Sequence, residues 1–151
     1  MSASRRILIC ASALLVPAAL AADLSPVGNW KTVDDKTGQP KSIVRIYEDK
    51  GEFFGKVEKI IDPARASRKC DKCTDDRKNQ PIAGMVVVRH MKRAGDEYTA
   101  GDILDPDNGK VYSCKMKVKD GGKTLSVRGY LGVSMLGRSQ TWTRESGDVG
   151  M

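Results

Sequence analysis

Apolar and polar positions along this 151-residue chain alternate in short runs and almost nowhere recur at helical spacing. Between residues 110 and 118, Tyr112, Cys114, Met116 and Val118 alternate with Lys115 and Lys117. A pleated strand there sets four softer side chains on one face and lysines on the other. Between 124 and 131, Leu125, Val127, Gly129 and Leu131 share one face, and Ser126, Arg128 and Tyr130 the other. Runs of this kind predict eight strands, at 28–33, 42–48, 52–61, 85–91, 97–104, 110–118, 124–131 and 138–144. Turn chemistry separates them, as in Asp49-Lys50-Gly51, Gly95-Asp96, Asn108-Gly109 and Asp120-Gly121-Gly122. Glycine supplies positive φ in such turns, and Asp or Asn bonds to nearby backbone. Ile43-Val44-Arg45-Ile46 and Met85-Val86-Val87-Val88 are apolar on both faces, which predicts strands partly covered on both sides.

Eight strands joined mainly by tight turns close most economically into one all-β, up-and-down antiparallel barrel, because closure removes the exposed edges. A sandwich is the rival architecture. One long connection, over residues 62–82, interrupts the meander between strands three and four. It holds Cys70-Asp71-Lys72-Cys73, several charges and two prolines. It is read as an ordered flap pinned by its cysteines, with room for a short helix.

The first residues read as an export signal. Arg5 and Arg6 precede an apolar run over residues 7–16, and Ala19-Leu20-Ala21 is a small-x-small pattern that a peptidase would cut before Ala22. The run is too short to span a membrane. General secretion fits better than a twin-arginine reading of Ser4-Arg5-Arg6. Cys10 follows Ile9 rather than a small residue, so it is not read as a lipid-attachment site. The organisation expected is therefore a cleaved signal peptide at 1–21, a barrel at 22–144 and a polar tail at 145–151. The mature protein would be periplasmic or secreted, with no transmembrane segment, and would keep 24 basic side chains against 19 acidic ones.

Gly28-Asn29-Trp30 opens the first strand and Trp142-Thr143-Arg144 closes the last. This pairing resembles the calycin superfamily of lipocalins and fatty-acid-binding proteins. The resemblance implies that Gly28, Trp30 and Arg144 close one end of the barrel, with the guanidinium over the indole. Further phrases follow in order: Gly101-Asp102-Ile103-Leu104-Asp105-Pro106, Asn108-Gly109-Lys110-Val111-Tyr112, Val127-Arg128-Gly129-Tyr130-Leu131-Gly132 and Leu136-Gly137-Arg138-Ser139-Gln140-Thr141-Trp142. With the Cys-x-x-Cys flap they are similar, over residues 27–144, to an exported bacterial family known as domain of unknown function number 2147. That resemblance implies fold and compartment, and no activity.

In an oxidising compartment Cys70, Cys73 and Cys114 are disulfide candidates. A Cys70–Cys73 bridge closes a tiny loop worth about 2 kcal/mol, and a Cys73–Cys114 bridge a long one worth about 4 kcal/mol, which favours a staple from flap to barrel. Cys114 also fits a plain buried thiol. A redox-active Cys-x-x-Cys would sit at a helix N-terminus, which these flanks do not suggest. Zinc would need His90 from a distant strand. His90, the one histidine, is read as a strand end near solvent. No catalytic set can be built on it. The basic stretch of Arg65, Arg68, Lys69, Lys72, Arg77 and Lys78 is interleaved with Asp62, Asp71, Asp75 and Asp76 and has no aromatics for stacking bases. It reads as a self-paired surface, and no nucleic-acid partner is expected. Asp105 and Asn108-Gly109 read as a hairpin turn, with too few oxygens for a calcium loop.

Arg128, Tyr130, Arg138 and Tyr112 are the candidate ligand contacts, with Arg45 a further cation of interest. If the face carrying Arg128 and Tyr130 lines the interior, a fixed cation and phenol suit a carboxylate or phosphate headgroup. Parity leaves open which face that is. The function expected is binding of a small, partly apolar, lipid-like or anionic ligand through the end opposite Trp30. Alternatives are an envelope interaction or structural protein with a packed barrel, and thiol–disulfide exchange through Cys70 and Cys73. Enzymatic activity is left open, with its absence the favoured reading, and no cofactor or metal is expected.

Overall fold

The computed structural model describes residues 24–133 and 135–147. The signal-peptide reading at 1–21 and most of the polar tail lie outside them. Eight strands follow in chain order: β1 (Gly28–Val33), β2 (Pro40–Asp49), β3 (Glu52–Ile60), β4 (Val86–Ala94), β5 (Glu97–Asp105), β6 (Lys110–Lys119), β7 (Thr124–Tyr130) and β8 (Gly137–Glu145). Each pairs antiparallel with the next, and β1 pairs with β8, so the sheet is a closed barrel rather than a sandwich. The strands stand close to their predicted bounds, although β2 and β4 run further and β7 stops at Tyr130. Among the described residues no helix is long and apolar enough to cross a membrane.

The barrel interior takes the apolar face of each strand. Leu125 and Val127 of β7 join Cys114, Met116 and Val118 of β6 and Trp142 of β8 in one buried cluster with Trp30, Ile46, Val88 and Met91. Pleating therefore turns Ser126 and Arg128 outward.

Bulges account for what simple alternation did not predict. Ile43 pairs with Lys59 and Val44 with Val57, leaving Glu58 as the extra residue. Between Phe53↔Met91 and Gly55↔Val88, β4 has two residues where β3 has one. His90 takes the left-handed turn there, at φ 58°. The expected strand end at His90 is thus corrected: it lies within β4, at a bulge that throws its ring into solvent. Its Nδ1 lies 2.8 Å from Glu52 Oε2 and its ring stands edge-on to Phe54. A matching bulge on β5 puts Ala100 at φ 61°. Gly101 beside it has no substitute, because a Cβ would lie 2.3 Å from the Arg89 carbonyl oxygen.

Up-and-down order sends alternate connections to opposite ends. At one end Trp30 is buried, its Nε1 donating to Pro26 O at 2.7 Å. Arg144 lies over the indole at 4.2 Å. Its three nitrogens donate to Ser25 O, Val27 O and Gly122 O. The other end carries the β1–β2, β5–β6 and β7–β8 connections and the flap between β3 and β4. A single 3-10 turn, Pro63–Arg65, is the flap's helical element. Cys70 N donates to Gln80 O and Ile82 N to Arg68 O, which folds the flap back on itself. Buried Arg77 grips Asp75 through Nε and Nη2 and donates to Val86 O.

Candidate functional site

The open end leads into a cavity of about 1230 Å³. Its apolar lining comes from facing strands: Val44, Val57, Ile60, Ile103, Val127 and Trp142, with Ile82 of the flap. Small side chains make the room. At Gly129 a Cβ would already touch Ile103 and Tyr112 at 3.4 Å. Neutral polar groups on the lining bond one another. Thr32 and Ser42 hydroxyls lie 2.7 Å apart, and Trp142 Nε1 donates to Gln140 Oε1 at 2.8 Å. An interior of this composition suits an apolar body with few hydrogen-bonding groups.

The rim is charged. Asp107, on the β5–β6 turn, receives Lys41 Nζ at 2.6 Å and Arg68 Nη1 at 2.8 Å, with Arg65 at 3.6 Å. Burial alone would raise the Asp107 carboxyl, but the hydrogen bonds from Lys41 and Arg68 outweigh it and hold it at about 2. Arg138, at the start of β8, reaches across the opening to Asp35 at 3.1 Å and Asp105 at 3.6 Å. Asp34 accepts the Thr37 and Lys36 amides, which lower its carboxyl, and meets Arg65 at 3.8 Å. Four acids and four bases thus ring the mouth. The flap is latched to the same rim, with Lys72 Nζ donating to Asp107 O at 3.2 Å. Gly109 makes the close approach feasible, since a Cβ there would lie 1.9 Å from Lys72 O.

The sequence-predicted contacts separate. Tyr112 lines the cavity and its hydroxyl accepts from Asn108 Nδ2 at 2.9 Å. Arg138 and Tyr130 line the rim. Arg128 is on the outer wall, where it donates to Ser139 Oγ at 2.9 Å and to Met135 O at 3.2 Å. The question that parity leaves open is thus answered: the Arg128 face points outward, and the inward neighbours on β7 are Val127 and Gly129. Arg45 is also outward, 4.0 Å from Glu58. Of the rim acids, Asp105 alone is singled out from sequence, and only as part of a hairpin turn. Their meeting is a consequence of topology, because every second connection of an up-and-down barrel arrives at the same end.

The disulfide joins Cys70 to Cys73, with Cα atoms 5.3 Å apart, and Cys114 is a buried free thiol. The expected staple from flap to barrel is corrected, because Cys114 faces the interior of the wall. Burial pushes its thiol up to about 12, with the Asp102 charge adding to the shift. Both sulfurs of the bridge are buried as well, which leaves an attacking thiolate no approach and speaks for a structural clasp. Among the described residues no group of three His, Cys, Asp or Glu side chains is placed to hold a metal ion.

A family model described as "Uncharacterized protein conserved in bacteria (DUF2147)" matches residues 28–144. No curated protein matches the chain. Among solved structures, the chain is similar to protein HP1028 from the human pathogen Helicobacter pylori, described as belonging to the lipocalin family. That likeness has a TM-score of 0.72 at 20% sequence identity and covers 82% of this chain and 84% of the other. It shows the fold alone. Since the matched residues run from the first residue of β1 almost to the end of β8, the chain belongs to the bacterial DUF2147 family, on a lipocalin-like barrel.

Proposed function

We propose that this chain is an exported binding protein of the cell envelope, periplasmic or secreted, that takes a small, partly apolar ligand through the open end of its barrel. The cavity of about 1230 Å³ carries the reading, since a packed barrel would serve an interaction protein equally well and would hold no such space. The ligand's apolar body lies against Val44, Ile103 and Val127, and its polar end meets Tyr112, Tyr130 and Arg138 at the rim. Arg138 can exchange a rim aspartate for a ligand carboxylate or phosphate without losing a charged partner.

Titration of the protein with a dansyl-labelled fatty acid tests the binding. One saturable site per barrel is expected, abolished by Ile103→Trp, which fills the cavity from a half-buried wall position. Absence of saturable binding across acidic and neutral apolar probes rejects it. Export is tested by N-terminal sequencing of the protein recovered from its host's envelope fraction. A start at Ala22 is expected, and an uncleaved cytoplasmic chain rejects it.

A further inference from the structure

The β7–β8 connection, between Tyr130 and Gly137, leaves Leu131 55%, Val133 61%, Met135 88% and Leu136 72% exposed. Four large apolar side chains exposed on one short loop are more than scattered surface residues. The loop is held in place. Leu136 N donates to Val133 O at 3.1 Å, closing a turn, and Arg128 props the returning limb through Met135 O.

Charge supplies the second observation. From Lys110 to Arg144 the chain carries eight basic side chains and one acidic; of these cations Arg144 belongs to the closed end, Arg138 pairs with Asp35 and Asp105, and Lys117 pairs with Asp96. The rest of the chain has eighteen of each sign. Beside the loop, Lys115 of β6 stands opposite Arg128 of β7 on the outer wall. An apolar wedge flanked by a cationic wall is complementary to a surface with an apolar interior and anionic headgroups.

We infer that the β7–β8 loop is a docking wedge that inserts into anionic lipid surfaces, with the β6–β8 wall lying on the headgroups. Val133 and Met135 lead the insertion. Leu131 and Leu136 also line the opening of the cavity, so docking turns the mouth toward the acyl layer. That last consequence rests on the ligand-binding reading above, whereas the docking itself does not.

The test uses the chain from Ala22 onward, which contains all eight strands of the closed barrel, and co-sedimentation with phosphatidylcholine vesicles made with and without phosphatidylglycerol. Binding is expected to the phosphatidylglycerol vesicles, weakening with salt, and to fall by roughly ten-fold or more in the triple variant Val133→Ser, Met135→Ser, Leu136→Ser. All three positions are exposed, so the barrel remains folded. Met135→Trp adds a direct readout: its emission is expected to shift to the blue with anionic vesicles and not with neutral ones. No pelleting, equal pelleting by the triple variant, or retention by a protein partner without vesicle binding overturns the inference. Fatty-acid titration in vesicle-free solution separates a failed wedge from a failed cavity.

Discussion

Arg144 of β8 covers the Trp30 indole of β1 at 4.2 Å while its three nitrogens each hold a different backbone carbonyl. One side chain thereby ties the N-terminal segment, the β6–β7 turn and the base of the barrel together. Trp30→Ala is expected to lower stability by about 3–5 kcal/mol, as for a large buried aromatic. Arg144→Lys keeps the charge but not the fork, and a loss of about 1–3 kcal/mol is expected from the carbonyls left unpaired. Urea unfolding followed by tryptophan fluorescence measures both.

Gly109 offers a sharper contrast. Its φ is +73° and a Cβ would overlap the Lys72 carbonyl, whereas Gly121, at φ +62°, faces open space. Gly109→Ala is expected to cost more than about 2 kcal/mol and Gly121→Ala about 1 kcal/mol, the backbone strain alone. Limited proteolysis should cut the flap of the first variant and spare that of the second.

The cysteines divide by reactivity. With its thiol pushed up to about 12 and buried, Cys114 should resist thiol reagents in the folded protein and react only on unfolding. The Cys70–Cys73 clasp should reduce only below about −300 mV, and its loss should cost about 2 kcal/mol. Mass spectrometry after alkylation, with and without denaturant, reads both outcomes.

Acid should loosen the mouth. Asp75, held at about 2 chiefly by the Arg77 hydrogen bonds, and Asp107, also at about 2, both titrate below the ordinary carboxylate value of 3.8. Groups lowered in the folded state add stability above the unfolded value and lose it as pH falls through the folded one. Their contribution is therefore whole at pH 5 and lost on the way from about 4 to about 2. Asp107→Asn is expected to be less stable than the parent at pH 7 and to converge with it toward pH 2, as measured by thermal unfolding across that range.

Arg138 is 63% exposed, so its pairs with Asp35 and Asp105 are weak. Surface pairs contribute up to about 1 kcal/mol, which caps the effect of Arg138→Ala on the rate of ligand entry at roughly five-fold. Stopped-flow mixing with the fluorescent fatty acid should show slower association, because Asp35 and Asp105 are left uncompensated at the mouth, and little change in folding stability.

Strand positions were legible because Asp-Gly and Asn-Gly turns break an alternation that pleating imposes, and Gly28, Trp30 and Arg144 marked the barrel's first and last strands. The inward face was not legible from parity: Arg128 and Val127 alternate with equal regularity, and the packing against Met116 and Trp142 decides between them. His90 was misplaced because a bulge inserts a residue and reverses the parity beyond it. The disulfide was misjudged because loop entropy describes the unfolded chain, whereas pairing is set by where the folded wall holds Cys114. The rim charges lie in separate turns, and only closure of the sheet brings Asp35, Asp105 and Arg138 together.

The seam between β1 and β8 is short, running from Asn29↔Glu145 to Lys31↔Thr143. Each other ladder joins strands consecutive in the chain and can zip from its own hairpin, or in one case from the flap. The seam alone must gather nearly the full contour of the domain, with the entropy loss that a long loop carries. During folding it is therefore the last ladder to zip, and under load or heat the first to part.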